Sequence, residues 1–187
     1  IQKAVDDGFS LKKEPLLISG VMELSQSIRI PKNGKLRGFG KMISSLVPQG
    51  NFPAIIVNGL IGDGGVYNWE LSGFNLGGGG IASVGIQLNY AREGIIKDVY
   101  ITGFQKGITA IQSWSNSIST SKIVGNSDKN IELGDYSNNI LLTDCQLDGA
   151  GNYGLHVTGD VQGISLNSCI FQKCGKEAIL LEAGRAI

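Results

Sequence analysis

Long apolar runs are missing from this chain. No stretch approaches the roughly 18–20 apolar residues that a membrane span needs, so membrane insertion is not expected. An excess of either charge is missing too: 16 Lys plus Arg balance 16 Asp plus Glu. Without a basic surplus nothing holds a phosphate backbone, and nucleic acid is not an expected partner. The opening Ile-Gln-Lys lacks the charged and apolar regions of a signal peptide. Cysteine is scarce, at three, a poor number for a disulfide framework. Cys145, Cys169 and Cys174 read instead as small core hydrophobes. The spacing of Cys169 and Cys174, with no histidine nearby, does not suit zinc. No metal or other cofactor is expected.

Glycine is abundant. There are 28 glycines in 187 residues, about twice the usual ~7%. The hydrophobic fraction of 42% excludes a disordered tail, and glycine has no period of three, which excludes collagen. Many glycines among Ile, Val, Leu, Asn and Ser suggest short strands joined by tight turns. The run from Gly77 to Gly80 reads as a loop. It lacks the acidic positions of a Ca²⁺-binding repeat and the strand–helix setting of a phosphate loop.

The chain repeats itself. Segments opening at Gly85, Gly107, Asn130, Gly154 and Ala178 start 22, 23, 24 and 24 residues apart. Each begins with an apolar-x-apolar strand, turns through Asn, Gly or Ser, and runs a second alternating strand. Ile86, Ile108, Ile131, Leu155 and Ile179 form one column, and Leu88, Ala110, Leu133, Val157 and Leu181 another. Alternation of period two points both columns to one side. Gln87, Thr109, Glu132, His156 and Leu180 then point to the other. A further inward column is expected from Phe74, Val99, Ile123, Cys145 and Cys169. No segment has sustained helical spacing, and the Asn-centred consensus of a leucine-rich repeat is absent. The pattern fits an all-β, single-stranded parallel β-helix. Each turn is a rung of about 22–24 residues stacked ~4.8 Å on the last, and seven or so rungs stand ~30 Å tall.

The earlier region reads the same way, with strands at 28–30 and 36–38 around a turn at 31–34, and further strands at 54–57 and 69–76. Residues 1–10 are expected to be the end of a short N-terminal capping helix, with Ile1, Ala4 and Val5 on one face and Gly8 closing it. Residues 11–187 are expected to be the β-helix. Both ends look cut, so the sequence is expected to be a piece of a longer β-helix.

The run IQKAVDDG at 1–8, the segments at 15–20 and 27–40, and the Ile-Lys-Asp-Val-x-Ile stretch at 96–101 resemble pectate-lyase-like right-handed β-helices. The resemblance is closest to phage tailspikes and tail-associated polysaccharide depolymerases. It implies a right-handed β-helix, a cell-surface polysaccharide as partner, a homotrimer, and a place on a virion tail or outside the cell. Catalytic residues vary within that superfamily, so no role is carried over by motif.

Candidate chemistry comes from the residues themselves. Tyr90, Arg92, Trp114, Asp135, Tyr136 and Asp160 fall near corresponding turn positions, and Gly134-Asp135 recurs as Gly159-Asp160, 25 residues on. Sugar rings stack on aromatic faces, and paired carboxylates serve as acid and base. Glu132, Asp135 and Asp160 are the catalytic candidates, with Glu132 and Asp160 a diagonal pair. Trp114, Tyr136, His156, Tyr90 and Arg92 are the substrate-binding candidates. Asp after Gly equally suits turn capping, Glu132 and His156 suit an outward strand face without a role, and Trp114 suits a subunit contact. Arg92 and Lys97 are available as the base of a lyase. Three readings follow: a phage appendage that binds and degrades a host polysaccharide, a secreted polysaccharide lyase or hydrolase, and a β-helix adhesin or shaft without activity.

Overall fold

A computed structural model describes Lys3, Asp6, Asp7 and residues 15–60, 62 and 64–182. The backbone winds through three large parallel sheets in turn, with a short fourth pairing of Val66–Tyr67 and Ala91–Arg92 at one corner. The first sheet holds seven strands: Ile28–Arg29, Ile55–Asn58, Val84–Asn89, Lys106–Ile111, Lys129–Leu133, Tyr153–Val157 and Ile179–Leu181. The second holds Lys35–Arg37, Glu70–Ser72, Ile95–Lys97, Ser117–Ser119, Asn138–Thr143 and Gln162–Asn167. The third holds Gly20–Leu24, Ser44–Pro48, Asn75–Gly77, Tyr100–Thr102, Lys122–Val124, Gln146–Asp148 and Ile170–Gln172. Each strand pairs with those one rung above and below, never with its neighbour in sequence. That is the solenoid the repeat implies.

Register follows the apolar columns. Ile55, Ile86, Ile108, Ile131 and Leu155 stack in the first sheet. Leu36, Leu71, Ile96, Ile118 and Leu142 stack in the second, and Leu46, Leu76, Ile101, Ile123 and Leu147 in the third. All fifteen are buried and converge on one core. Burial of each such side chain contributes roughly 1.5–3 kcal/mol against leaving it in water. Leu88, Leu133 and Val157 are buried as expected.

One expectation needs correction. Ile123 does not stand between Val99 and Cys145; Ser121 does. Lys122 N–H donates to Val99 O at 2.9 Å and Gln146 N–H to Ser121 O at 2.9 Å. Ser121 and Ile123 share a face, two residues apart, so apolarity favoured the wrong one. The buried Ser121 hydroxyl accepts from Val99 N–H at 3.2 Å and donates to Ser119 O at 2.7 Å, which makes it tolerable in the core. The rest of that column holds. Cys145 is buried, Cys169 packs against the core one rung on, and all three thiols are free. The range expected for the capping helix lies outside the described residues apart from Lys3, Asp6 and Asp7, which are helical, with Lys3 Nζ donating to Asp7 Oδ2 at 2.8 Å.

The corners explain the polar composition. Between the first and second sheets, Asn33, Asn68, Glu93, Ser115 and Asn139 all have positive φ, 51–59°. They stack rung on rung, as in Ser115 N–H to Asn138 O at 3.0 Å. Asp98, Thr120, Asp144 and Ser168 repeat this between the second and third sheets, at φ 48–52°. Asn, Asp and Ser tolerate the left-handed conformation because their side chains bond locally. Buried amides brace the corners. Asn116 accepts from Gly94 N–H and donates to Ala91 O, both at 2.9 Å. Gly94 is required for space: a Cβ there would lie 1.9 Å from Trp69 Cε2.

Candidate functional site

The candidates divide between two surfaces. Glu132 and His156 lie on the outer face of the first sheet, in register with Thr109 and Leu180. There Glu132 is engaged on both oxygens. Lys106 Nζ donates to Oε2 at 2.5 Å, and Lys129 Nζ donates to Oε1. Burial by itself pushes the Glu132 carboxyl up, but the hydrogen bonds and charges of Lys106 and Lys129 outweigh it and hold it below the usual carboxylate range. It is therefore an ionised acceptor, not an acid. His156 is buried, with its ring 4.8 Å from that of Tyr153. Its Nε2 lies 2.9 Å from Glu182 Oε2, yet neither ring nitrogen makes a well-directed hydrogen bond. The alignment makes this a close approach, not a directed bond.

The second surface is the corner between the first and second sheets. Trp114 bridges Arg92 on one rung and Asn138 on the next. Arg92 pairs in turn with Tyr67, and Asn138 with Gln162. The guanidinium of Arg92 lies 4.2 Å from the Trp114 ring centroid, and Tyr90 tilts against the same indole at 6.4 Å. Lys32 Nζ repeats the motif over Tyr67 at 3.8 Å. The result is a ladder of planar and cationic groups, perpendicular to the strands and so parallel to the solenoid axis.

Trp114, Tyr136 and Asp160 meet in a groove of about 290 Å³, with Gln112, Ser137, Asn138 and Gln162 completing its walls. Tyr136 is exposed at φ 60°, and its N–H donates to Asp160 O at 2.8 Å. Among the described residues Asp160 Oδ1 has only a long contact, 3.5 Å, from Gln162 Nε2. Asp135 is exposed on the rung before and lies against Gly159, where a Cβ would come within 1.7 Å of its Oδ1. One carboxylate, Asp160, and two aromatic rings thus share the groove at one end of the ladder, with Asp135 beside it against Gly159, while Arg92, Glu93, Trp114 and Ser115 line a second recess of about 270 Å³. Two larger hollows, about 400 and 420 Å³, lie beside Arg29 and hold none of the candidates. Among the described residues no cluster of His, Cys, Asp and Glu is arranged to hold a metal.

Sequence reasoning brought Trp114, Tyr136 and Asp160 together but missed their neighbours. Gln112, Asn138 and Gln162 are polar residues without a distinctive signature. Lys32 and Tyr67 were legible only by extending the repeat into the irregular early rungs. Lys106 and Lys129 sit one rung and three residues from Glu132, a spacing that the repeat length already contains.

A family model described as right handed beta helix region matches residues 62–187. No curated protein matches the sequence. Among solved structures, ORF18 of Geobacillus virus E2 superposes with a TM-score of 0.82 at 13% identity, over 93% of this chain and 43% of that one. A putative glycosyl hydrolase from Parabacteroides merdae gives 0.74 at 16%, over 90% and 87%. The gp42 tailspike of Acinetobacter phage vb_AbaP_AS12 gives 0.74 at 16%, over 90% and 32%. This chain thus spans less than half of either phage protein, and at these identities the likeness is one of fold.

Proposed function

Since this chain belongs to the right-handed β-helix family, we propose that it is the polysaccharide-binding β-helix of a tailspike-like phage appendage, and that it cleaves a host surface glycan at the corner groove. The observation that carries this reading is the meeting of Trp114, Tyr136 and Asp160 in one groove along the solenoid axis. An extended polymer fits such a surface, with sugar faces on the indole and phenol and hydroxyls on Gln112, Asn138 and Gln162. Likeness to a phage tailspike and to a putative glycosyl hydrolase supports the class of partner.

Cleavage is assigned to Asp135 and Asp160. One protonates the glycosidic oxygen as the bond to the anomeric carbon breaks. The other either attacks that carbon or takes the proton of an attacking water. Glu132 is left out of the pair because two lysines occupy its carboxylate. The whole appendage is assigned a parallel homotrimer on the virion tail. The exposed Ile95 and Leu141, on the outer face of the second sheet, support a partly covered surface.

The test is oligosaccharide release from purified host polysaccharide, with binding measured alongside. Trp114→Ala should weaken binding at least tenfold, and Asp135→Asn or Asp160→Asn should slow release by about 10²–10⁴-fold with binding retained. Full release by both Asn variants removes the catalytic assignment, and unchanged binding by Trp114→Ala removes the groove. A monomer by sedimentation at micromolar concentration removes the trimer. A secreted hydrolase is the second reading, favoured by the 87% of the Parabacteroides protein that this chain spans. The two separate on whether antibodies to the chain label phage tails.

A further inference from the structure

The ladder that leads into the groove carries an unused pattern of charge. Its residues are Lys32, Tyr67, Arg92, Trp114, Asn138 and Gln162, one per rung. Lys32 joins the register through Asn33 N–H, which donates to Tyr67 O at 2.9 Å. Cation and aromatic alternate over the first four positions. Each cation leans on the aromatic one rung further on, at 3.8 and 4.2 Å. Among the described residues, neither Lys32 nor Arg92 has a carboxylate within ion-pair distance. Arg92 Nε is buried without a hydrogen-bond partner, so the Nη groups are what a ligand can reach. Glu93 shares the recess with Arg92 but forms no ion pair with it.

Two rungs separate the cations, about 9.5 Å at the usual spacing of paired strands. A hexose residue in an extended chain advances about one rung. A polymer lying along the ladder thus meets a positive charge at every second sugar, with an aromatic ring at the sugars between. Lysine and arginine unpaired on aromatic platforms suit carboxylate oxygens, which the planar guanidinium can hold with two parallel hydrogen bonds.

Resting on the reading of this corner as a glycan groove, we infer that the ladder selects an acidic polysaccharide bearing one carboxylate per disaccharide, bound parallel to the solenoid axis with successive carboxylates on Lys32 and Arg92. Asp135 and Asp160 stand beyond the cationic stretch, where a neutral sugar can be approached without a carboxylate facing them.

The full chain is titrated with four octasaccharides, by calorimetry and by tryptophan emission. They are an alternating polymer of glucuronate and N-acetylglucosamine, the same compound with its carboxyls reduced to alcohols, an oligogalacturonate charged at every residue, and a neutral glucan. Trp114→Phe assigns the emission change, because Trp69 is buried. The expected result is binding of the alternating acid at least about tenfold tighter than its reduced form, with oligogalacturonate no tighter than the alternating acid. Arg92→Gln and Lys32→Gln should each lower the preference for the acid over its reduced form by about tenfold, and Arg92→Lys should keep most of the preference. Melting curves check that each variant is folded. Equal binding of acid and reduced forms overturns the charge assignment and leaves the groove standing, and tighter binding of oligogalacturonate overturns the alternating spacing. If none of the four binds, both the groove and its charge pattern fall.

Discussion

The outer face of the first sheet and the neighbouring corner carry similar residues in opposite states. On the sheet, Glu132 is bonded to Lys106 and Lys129, and in the bend before that strand Asp128 accepts from Asn152 at 2.8 Å. At the corner, among the described residues, Arg92 is stacked but has no ion pair, Asp160 has one long contact, and Tyr136 is exposed. Side chains on a flat parallel sheet have in-register neighbours about 4.8 Å above and below, so opposite charges find one another. Residues at a left-handed corner splay outward, and their polar groups keep bonding capacity for a ligand. The difference teaches that a carboxylate column is not by itself a site; what matters is whether its partners are already in the fold.

The largest test of this contrast is a pair of substitutions. Glu132→Gln should leave glycan release within about threefold of the parent, where Asp160→Asn costs about 10²–10⁴-fold. Kinetics on one polysaccharide decides it, and the reverse order would assign the chemistry to the sheet face. The interior gives a reference for both surfaces. Burial pushes the Cys145 thiol up from 9.0 to about 11. Its protonated form is favoured in the folded state, so the stability is fully present below pH 9 and is lost as pH rises toward 11. The loss is about 2–3 kcal/mol, read from urea midpoints, and Cys145→Ala should remove this dependence. Alkylation of native protein at pH 8 should spare Cys145.

A smaller effect sharpens the corner. Gly159→Ala places a Cβ 1.7 Å from Asp135 Oδ1, at a φ of +76°. The carboxylate must move, and release should fall about tenfold with binding to Trp114 retained. Release unchanged in Gly159→Ala would show that the position of Asp135 is immaterial. The smallest effect belongs to the sheet. The Glu132 carboxyl is held below its ordinary 4.5, so its contribution is present above that pH and is lost as pH falls through the folded value. A loss of about 1 kcal/mol should appear as pH falls below 4.5 and be blunted in the double variant Lys106→Met, Lys129→Met. An equal slope in that variant would mean that other carboxylates dominate acid unfolding.

Much of the core is legible in the order of residues alone. The columns through Ile86 and Leu88 stack as read, because burial on a strand has period two and adjacent rungs repeat it. The slip at Ile123 marks the limit of that reading. Positions two apart share a face, so only the hydrogen bonds from Lys122 and Gln146 settle which one faces Cys145. The candidate site is legible in part for the same reason. Gly134-Asp135 and Gly159-Asp160 stand out as a repeated dipeptide. The separation of Glu132 and His156 from Trp114 and Asp160 depends instead on where the corner falls within each rung, and Asp135 and Tyr136 extend that corner beyond the Ala110–Leu133 pair.

The sequence by itself determined the repeat, the alternation and the polar residues reserved for corners, because these follow from local backbone geometry and from which side chains leave water. Only the tertiary structure decided which polar groups meet. Lys106 reaches Glu132 across 26 residues and Arg92 reaches Trp114 across a rung. Such contacts depend on the register between turns, which backbone hydrogen bonds set and composition does not.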